Sequence, residues 1–251
     1  MKNKTTHLLF SLMCISLLVN IFLLYKLHIG FIKLQQVRGA PQKPIVSERF
    51  IGKPYETLFI IGDSRAQMWG VPRIKGALKH VKNYGVGGST SNQILNQIKL
   101  FQNAITDQVV LIQLGINDIH WIKTEPLHRQ KIILDNLKNN IKNIVKILIE
   151  KRNRVVLTTI IPPQKPSFAR TMYWPKNGLD YIREVNGTII QLNQTYTDVV
   201  VLDTHAQLVN KESNYLKSEY NDPDFFLHVN KKAYTFLTNS LSKVLFELQK
   251  R

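Results

Sequence analysis

The sequence predicts an α/β fold: a parallel sheet with helices on both faces, preceded by a membrane-spanning segment. Two observations carry the sheet. Five short, β-branched apolar runs lie at residues 57–62, 80–86, 108–115, 153–161 and 198–203, and segments of helical periodicity follow four of them. Mostly continuous apolar runs suit strands that are covered on both faces. Strand–helix alternation implies parallel pairing through crossover helices. A third observation, an uncharged run near the N-terminus, sets this body apart from what precedes it.

That run comes first in the chain. "HLLFSLMCISLLVNIFLLYK" (7–26) is uncharged from Leu8 to Tyr25. Eighteen helical residues at ~1.5 Å each reach about 27 Å, enough to cross a hydrocarbon core. Tyr25 and Lys26 suit the interface. A cleaved signal peptide would have a shorter apolar core and a small-residue cleavage site after it. The expectation is an uncleaved anchor over 8–25, a stub at 1–7, a tether over 26–55 containing "GAPQKP", and a body over 56–251. Positive charges flank the anchor on both sides. A short stub ahead of a large body points to an exported body, on the periplasmic or extracytoplasmic side.

The strands follow in order. "TLFIIG" (57–62) is strongly apolar, "HVKNYGV" (80–86) weaker, and "QVVLIQLG" (108–115), "NRVVLTTII" (153–161) and "DVVVLD" (198–203) complete the set. Helical spacing marks 91–101, 130–151, 179–196 (with Gly187 inside it) and 231–250.

Composition excludes several function classes. The chain has 251 residues and a formal charge of +17, but its Lys and Arg are spread along its length. The densest group, "EKRNR" (150–154), lies between a helical pattern and a strand. No zinc-finger spacing or aromatic RNA-binding signature accompanies it, so no nucleic-acid partner is expected. The single cysteine, Cys14, lies in the apolar run. The body therefore has no disulfide, no cysteine nucleophile and no cysteine metal site. The seven histidines show no HxH or HExxH spacing, and neither metal nor cofactor is expected.

In parallel α/β sheets, ligands bind at the carboxyl ends of strands, and candidate residues gather there. "LFIIGDSRAQMWG" (58–70) puts Ser64 just past the first strand, flanked by Asp63 and Arg65. A serine hydroxyl becomes a nucleophile when a base lies within hydrogen-bond reach and donors await the oxyanion. "NYGVGGSTSNQ" (83–93) follows the second strand, and Gly88 there can offer a backbone N–H. "LGINDIHW" (114–121) follows the third, where the Asn117 amide is a second donor; Asp118 fits a cap, while His120 and Trp121 suit a pocket wall. "NDPDFFLHVNKKAY" (221–234) sets His228 before the last helix, behind two aspartates able to orient an imidazole. "VLDTHAQL" (201–208) offers a rival base, His205, beside Asp203. The insertion 162–180 carries Tyr173 and Trp174, aromatic faces suited to a sugar ring.

The order of these four blocks resembles the SGNH (GDSL-type) hydrolase family, over residues 57 to about 249. The resemblance implies a flavodoxin-like, three-layer α/β/α sandwich with a five-stranded parallel sheet. It implies serine-dependent hydrolysis of acyl esters or thioesters without a metal. Ser64 matches the nucleophile and first oxyanion donor, Gly88 and Asn117 the other donors, and His228 the base. One position departs. The family's acid usually stands three residues before the histidine, where this chain has Phe225. Asp224 is the foremost substitute and Asp222 the second; an acid from elsewhere, or none, stays open. The expected substrates are acylated carbohydrates such as O-acetylated cell-surface polymer. Lipid esters, thioesters, and a non-catalytic binding role are the alternatives.

Overall fold

The computed structural model describes residues 2–38, 53–74 and 78–250. Two units divide at residue 38. The first is one helix, α1 (Lys2–Arg38). Its stretch Phe10–Gly30 is the one span among the described residues long and apolar enough to cross a membrane, a property that anchors and signal sequences share. Helical structure continues through 26–38, the first part of the expected tether, because no Gly–Pro break occurs before Arg38. Residues 39–52, including "GAPQKP", lie outside the described residues.

The second unit is an all-parallel five-stranded sheet in the order β2-β1-β3-β4-β5. Its strands are β1 (Thr57–Gly62), β2 (His80–Gly85), β3 (Val109–Gln113), β4 (Arg154–Thr158) and β5 (Val199–Leu202). Every residue of β1 and β3 is buried, whereas edge strand β2 is part-exposed throughout. That difference explains the weaker apolar signal of β2. Four strands end sooner than their apolar runs, β4 by the most. At β4, Ile160 N–H turns to the Asn186 side chain (2.7 Å), and Pro162 and Pro163 then end any ladder.

The helices of this unit are α2 (Ser64–Trp69), α3 (Ser91–Phe101), α4 (Ile116–Ile122), α5 (Leu127–Glu150), α6 (Phe168–Thr171), α7 (Gly178–Thr195), α8 (Thr204–Leu208) and α9 (Lys231–Lys250). Side chains alternate across the sheet and build two cores. Phe59, Ile61, Val110 and Ile112 pack with α3, α5 and α7. Leu58, Ile60, Val109 and Leu111 pack with α2 and α9. The result is the expected three-layer α/β/α sandwich. From β1 the chain crosses first to β2 on one side and later to β3 on the other. The order therefore reverses between β1 and β3, and their carboxyl ends form the crevice where such sheets bind ligands.

Candidate active site

Strand β1 delivers Ser64 into that crevice. Gly62 pairs with Gly85 on one side and Gln113 on the other, and any side chain there would run into the Gln113 carbonyl. Asp63 caps α2, its Oδ1 accepting the Arg65 N–H at 2.8 Å. Ser64 is thus the first residue of a helix and half-buried. Burial pushes the Asp63 carboxyl up to about 6, with the neighbouring Arg65 charge opposing the shift.

The glycine block after β2 turns tightly over Ser64. Val86 N–H donates to Gly62 O (2.9 Å) and Ser89 N–H to Val86 O (3.3 Å). Gly88 has φ +77, a left-handed conformation that favours glycine. Gly87 also approaches the nucleophile: a Cβ there would stand 3.9 Å from that of Ser64. Sequence reasoning passed over Gly87; its signal was membership of the same Gly-rich run.

Helix α4 brings in Asn117. Its Nδ2 donates to Ser89 O at 2.9 Å, tying the third block to the glycine turn. An amide carries two N–H groups, so one remains for a substrate oxygen. Asp118 points elsewhere: it accepts Ser91 N–H (2.9 Å) and Ser91 Oγ–H (2.6 Å), holding the start of α3. Burial raises that carboxyl to about 6, opposed by the Ser91 bonds.

His228 completes the group. Its Nε2 lies 2.9 Å from Ser64 Oγ. The loop bearing it is held from outside. Gln164 Nε2 donates to the carbonyls of Asp222 (2.8 Å), Phe225 (3.1 Å) and His228 (3.3 Å). Arg65 Nε donates to Leu227 O at 2.6 Å. Burial lowers the His228 pKa, Arg65 lowers it further, and Asp222 raises it.

The expected acid is not where the sequence put it. Asp224 is exposed and makes no hydrogen bond to His228, whose Nδ1 is buried without a partner. The physical reason is a local turn. Asp222 Oδ1 accepts the N–H groups of both Asp224 and Phe225 (2.9 Å each), an Asx-type turn that directs residue 224 outward. The Phe225 ring sits 5.0 Å from the imidazole instead. Asp222 is the carboxylate whose field reaches the ring.

His205 does not join the group. Strand β5 stops at Leu202, Asp203 caps α8, and His205 N–H donates to Thr159 Oγ1. The aromatic wall also differs from expectation. Trp121 and Trp174 are buried, the latter 5% exposed, and offer no open face for a sugar. Both contact His120, Trp121 tilted against it at 5.3 Å between ring centroids and Trp174 stacked at 6.4 Å, and Trp174 meets Phe226 edge-on at 5.6 Å. His120 and Tyr173 keep partial exposure. Among the described residues, no three His, Cys, Asp or Glu side chains converge as metal ligands.

Comparisons with known proteins bear on the family and the fold. The GDSL-like lipase/acylhydrolase family matches residues 60–236. No individually curated protein matches the chain. Among solved structures, a Streptococcus pneumonia chain described provisionally as a platelet activating factor is 21% identical with TM-score 0.60, covering 93% of this chain and 98% of its own. A GDSL-like lipase from Bacteroides thetaiotaomicron is 15% identical with TM-score 0.60, over 78% and 92%. A catalytic mutant of Axe2, an acetylxylan esterase from Geobacillus stearothermophilus, is 18% identical with TM-score 0.58, over 78% and 95%. At these identities the structural likeness speaks for the fold.

Proposed function

This chain belongs to the GDSL-like lipase/acylhydrolase family and is a GDSL-type carboxylic ester hydrolase, and from that premise we propose that Ser64 and His228 act as its catalytic pair on acylated carbohydrate. The observation that carries the assignment is the 2.9 Å contact between His228 Nε2 and Ser64 Oγ. Neutral His228 takes the Ser64 proton as Oγ bonds to the ester carbonyl carbon. The oxyanion is met by the N–H groups of Ser64 and Gly88 and by Asn117 Nδ2–H. His228 then gives its proton to the leaving alkoxide, and an acyl-serine remains. Water, deprotonated by the same imidazole, releases the acid and restores Ser64.

With no carboxylate bonded to Nδ1, Asp222 contributes through its field alone. A lowered pKa keeps the ring in its base form at neutral pH, which is the form the first step uses.

Preference for a small acyl group on a sugar is supported by the fold likeness to an acetylxylan esterase, and by an N-terminal segment long and apolar enough to cross a membrane. A second reading, lipid ester, is favoured by one observation. Phe168 (89% exposed) and Met172 (54%), in the insertion that contains α6, and Phe225 (57%), on the base loop, are open apolar side chains on two segments that bond to one another, through Gln164 N–H to Phe226 O and Arg170 to Asp224 O. Assay of the detergent-solubilised full chain on acetylated xylans, short- and long-chain nitrophenyl esters and lysophospholipid separates the readings. Labelling by a serine-reactive fluorophosphonate, lost in Ser64→Ala, tests the nucleophile. No labelling and no turnover on any substrate would support a binding protein instead.

A further inference from the structure

The residue after the nucleophile is an arginine closed off from solvent. Arg65 is 1% exposed, and burial brings its pKa down to about 10 against the opposing field of Asp63. A buried guanidinium needs acceptors to offset its lost hydration. Among the described residues it forms no salt bridge. Its acceptors are two backbone carbonyls, Leu227 O from Nε and Ile161 O from Nη1, each at 2.6 Å. Both are charge-assisted bonds, roughly twice as strong as neutral ones.

Those two carbonyls occupy telling positions. Leu227 O belongs to the peptide unit that ends in the His228 nitrogen. Ile161 immediately precedes the Pro162–Pro163 exit into the insertion whose Gln164 clasps the same loop. The helix that carries the nucleophile therefore holds the backbone of the base, while the ring of the base touches the nucleophile. His228 Nδ1 has no partner to fix the ring.

We propose that Arg65 is the positioning residue for His228, setting the imidazole against Ser64 by its grip on the Leu227 and Ile161 carbonyls. This inference rests on the Ser64–His228 reading above. The groups that face the ring electrostatically are Arg65 from α2 and Asp222 from its own loop. Asp63 and Tyr234 of α9 in turn interact with Arg65. Loss of the Arg65 charge leaves burial alone to oppose Asp222, so the pKa of His228 rises. A displaced base costs rate rather than substrate affinity; misplacement of about 1 Å is worth roughly 100-fold.

The test is steady-state kinetics against pH for the full-length protein and its R65M, R65K and S64A variants, with thermal melting recorded for each. R65M is expected to lose roughly 100-fold in kcat with KM unchanged, and its acid limb in kcat/KM should move to higher pH. R65K keeps the charge but not the fork; it should lose kcat by about tenfold with the limb near its wild-type position. Wild-type kcat in R65M overturns the proposal, and so does a kcat loss with an unmoved limb, which marks a merely structural arginine. If R65M does not fold, R65K decides: an unchanged kcat overturns the proposal, and a loss in kcat alone supports it. An active S64A instead overturns the catalytic pair itself, a failure separate from that of Arg65.

Discussion

The two halves of the candidate catalytic pair are built in opposite ways. Ser64 is placed by its own neighbourhood: a fully buried strand, an aspartate cap two residues from its donor, and the first turn of a helix. His228 is placed by distant groups. Gln164 reaches its loop across 58 to 64 positions of sequence, and Arg65 across 162. The nucleophile is thus specified by local rules and the base by tertiary bonds. Substitutions on the first side strike the chemistry directly. Substitutions on the second mostly strike alignment, so their effects should grade with the number of bonds removed.

The largest effects test the pair itself. Ser64→Ala should abolish turnover, leaving under about a thousandth of the rate, with the fold intact because a hydroxyl alone is lost. His228→Ala should fall about as far. The double variant should fall no further, since residues acting as one unit do not add. Assays of the three proteins with melting curves check this. Additive losses would mean that the two side chains act separately.

Asn117→Ala comes next, at roughly 100–1,000-fold in kcat with little change in KM. It lies on the locally built side, through α4, yet it also clamps the glycine turn at Ser89 O. A loss confined to KM would move Asn117 from the oxyanion to substrate binding. Gln164→Leu sharpens the other side. It removes three donations to the base loop and should cost about tenfold in kcat, with a melting temperature lower by a few degrees. An effect as small as that of an exposed residue would mean that Arg65 holds the loop alone.

The same contrast governs what could be read from sequence. The five strands, their parallel pairing and the helices α3, α5, α7 and α9 follow from hydrophobic periodicity, which is local. The helices α2 and α4 are hidden in the sequence, because six or seven residues carry too few turns to show a period. Meeting of Ser64 with His228 was legible through the order of blocks at strand ends. The placement of Asp224 was not. Spacing counts residues, whereas an Asx turn at Asp222 decides where the next side chains face. Trp174 misled for a related reason. An aromatic in a long insertion looks exposed until the insertion folds back and stacks it on His120.

The smallest effects concern the two aspartates. Asp222→Asn keeps an oxygen for the turn, so the loop should hold its shape. It removes a negative charge that raises the His228 pKa. The ring then gives up its proton more easily, and the acid limb of kcat/KM should move to lower pH, opposite to the shift expected for R65M. Its kcat should fall only several-fold, because the imidazolium formed during attack loses a through-space charge and no hydrogen bond. Asp224→Asn touches neither the ring nor the turn oxygen and should stay within about twofold, as should His205→Ala on α8. A pH–rate series on these variants checks all three. If Asp224→Asn matched His228→Ala, residue 224 would swing onto Nδ1 during turnover. The base loop would then be set by substrate, not by Arg65 and Gln164.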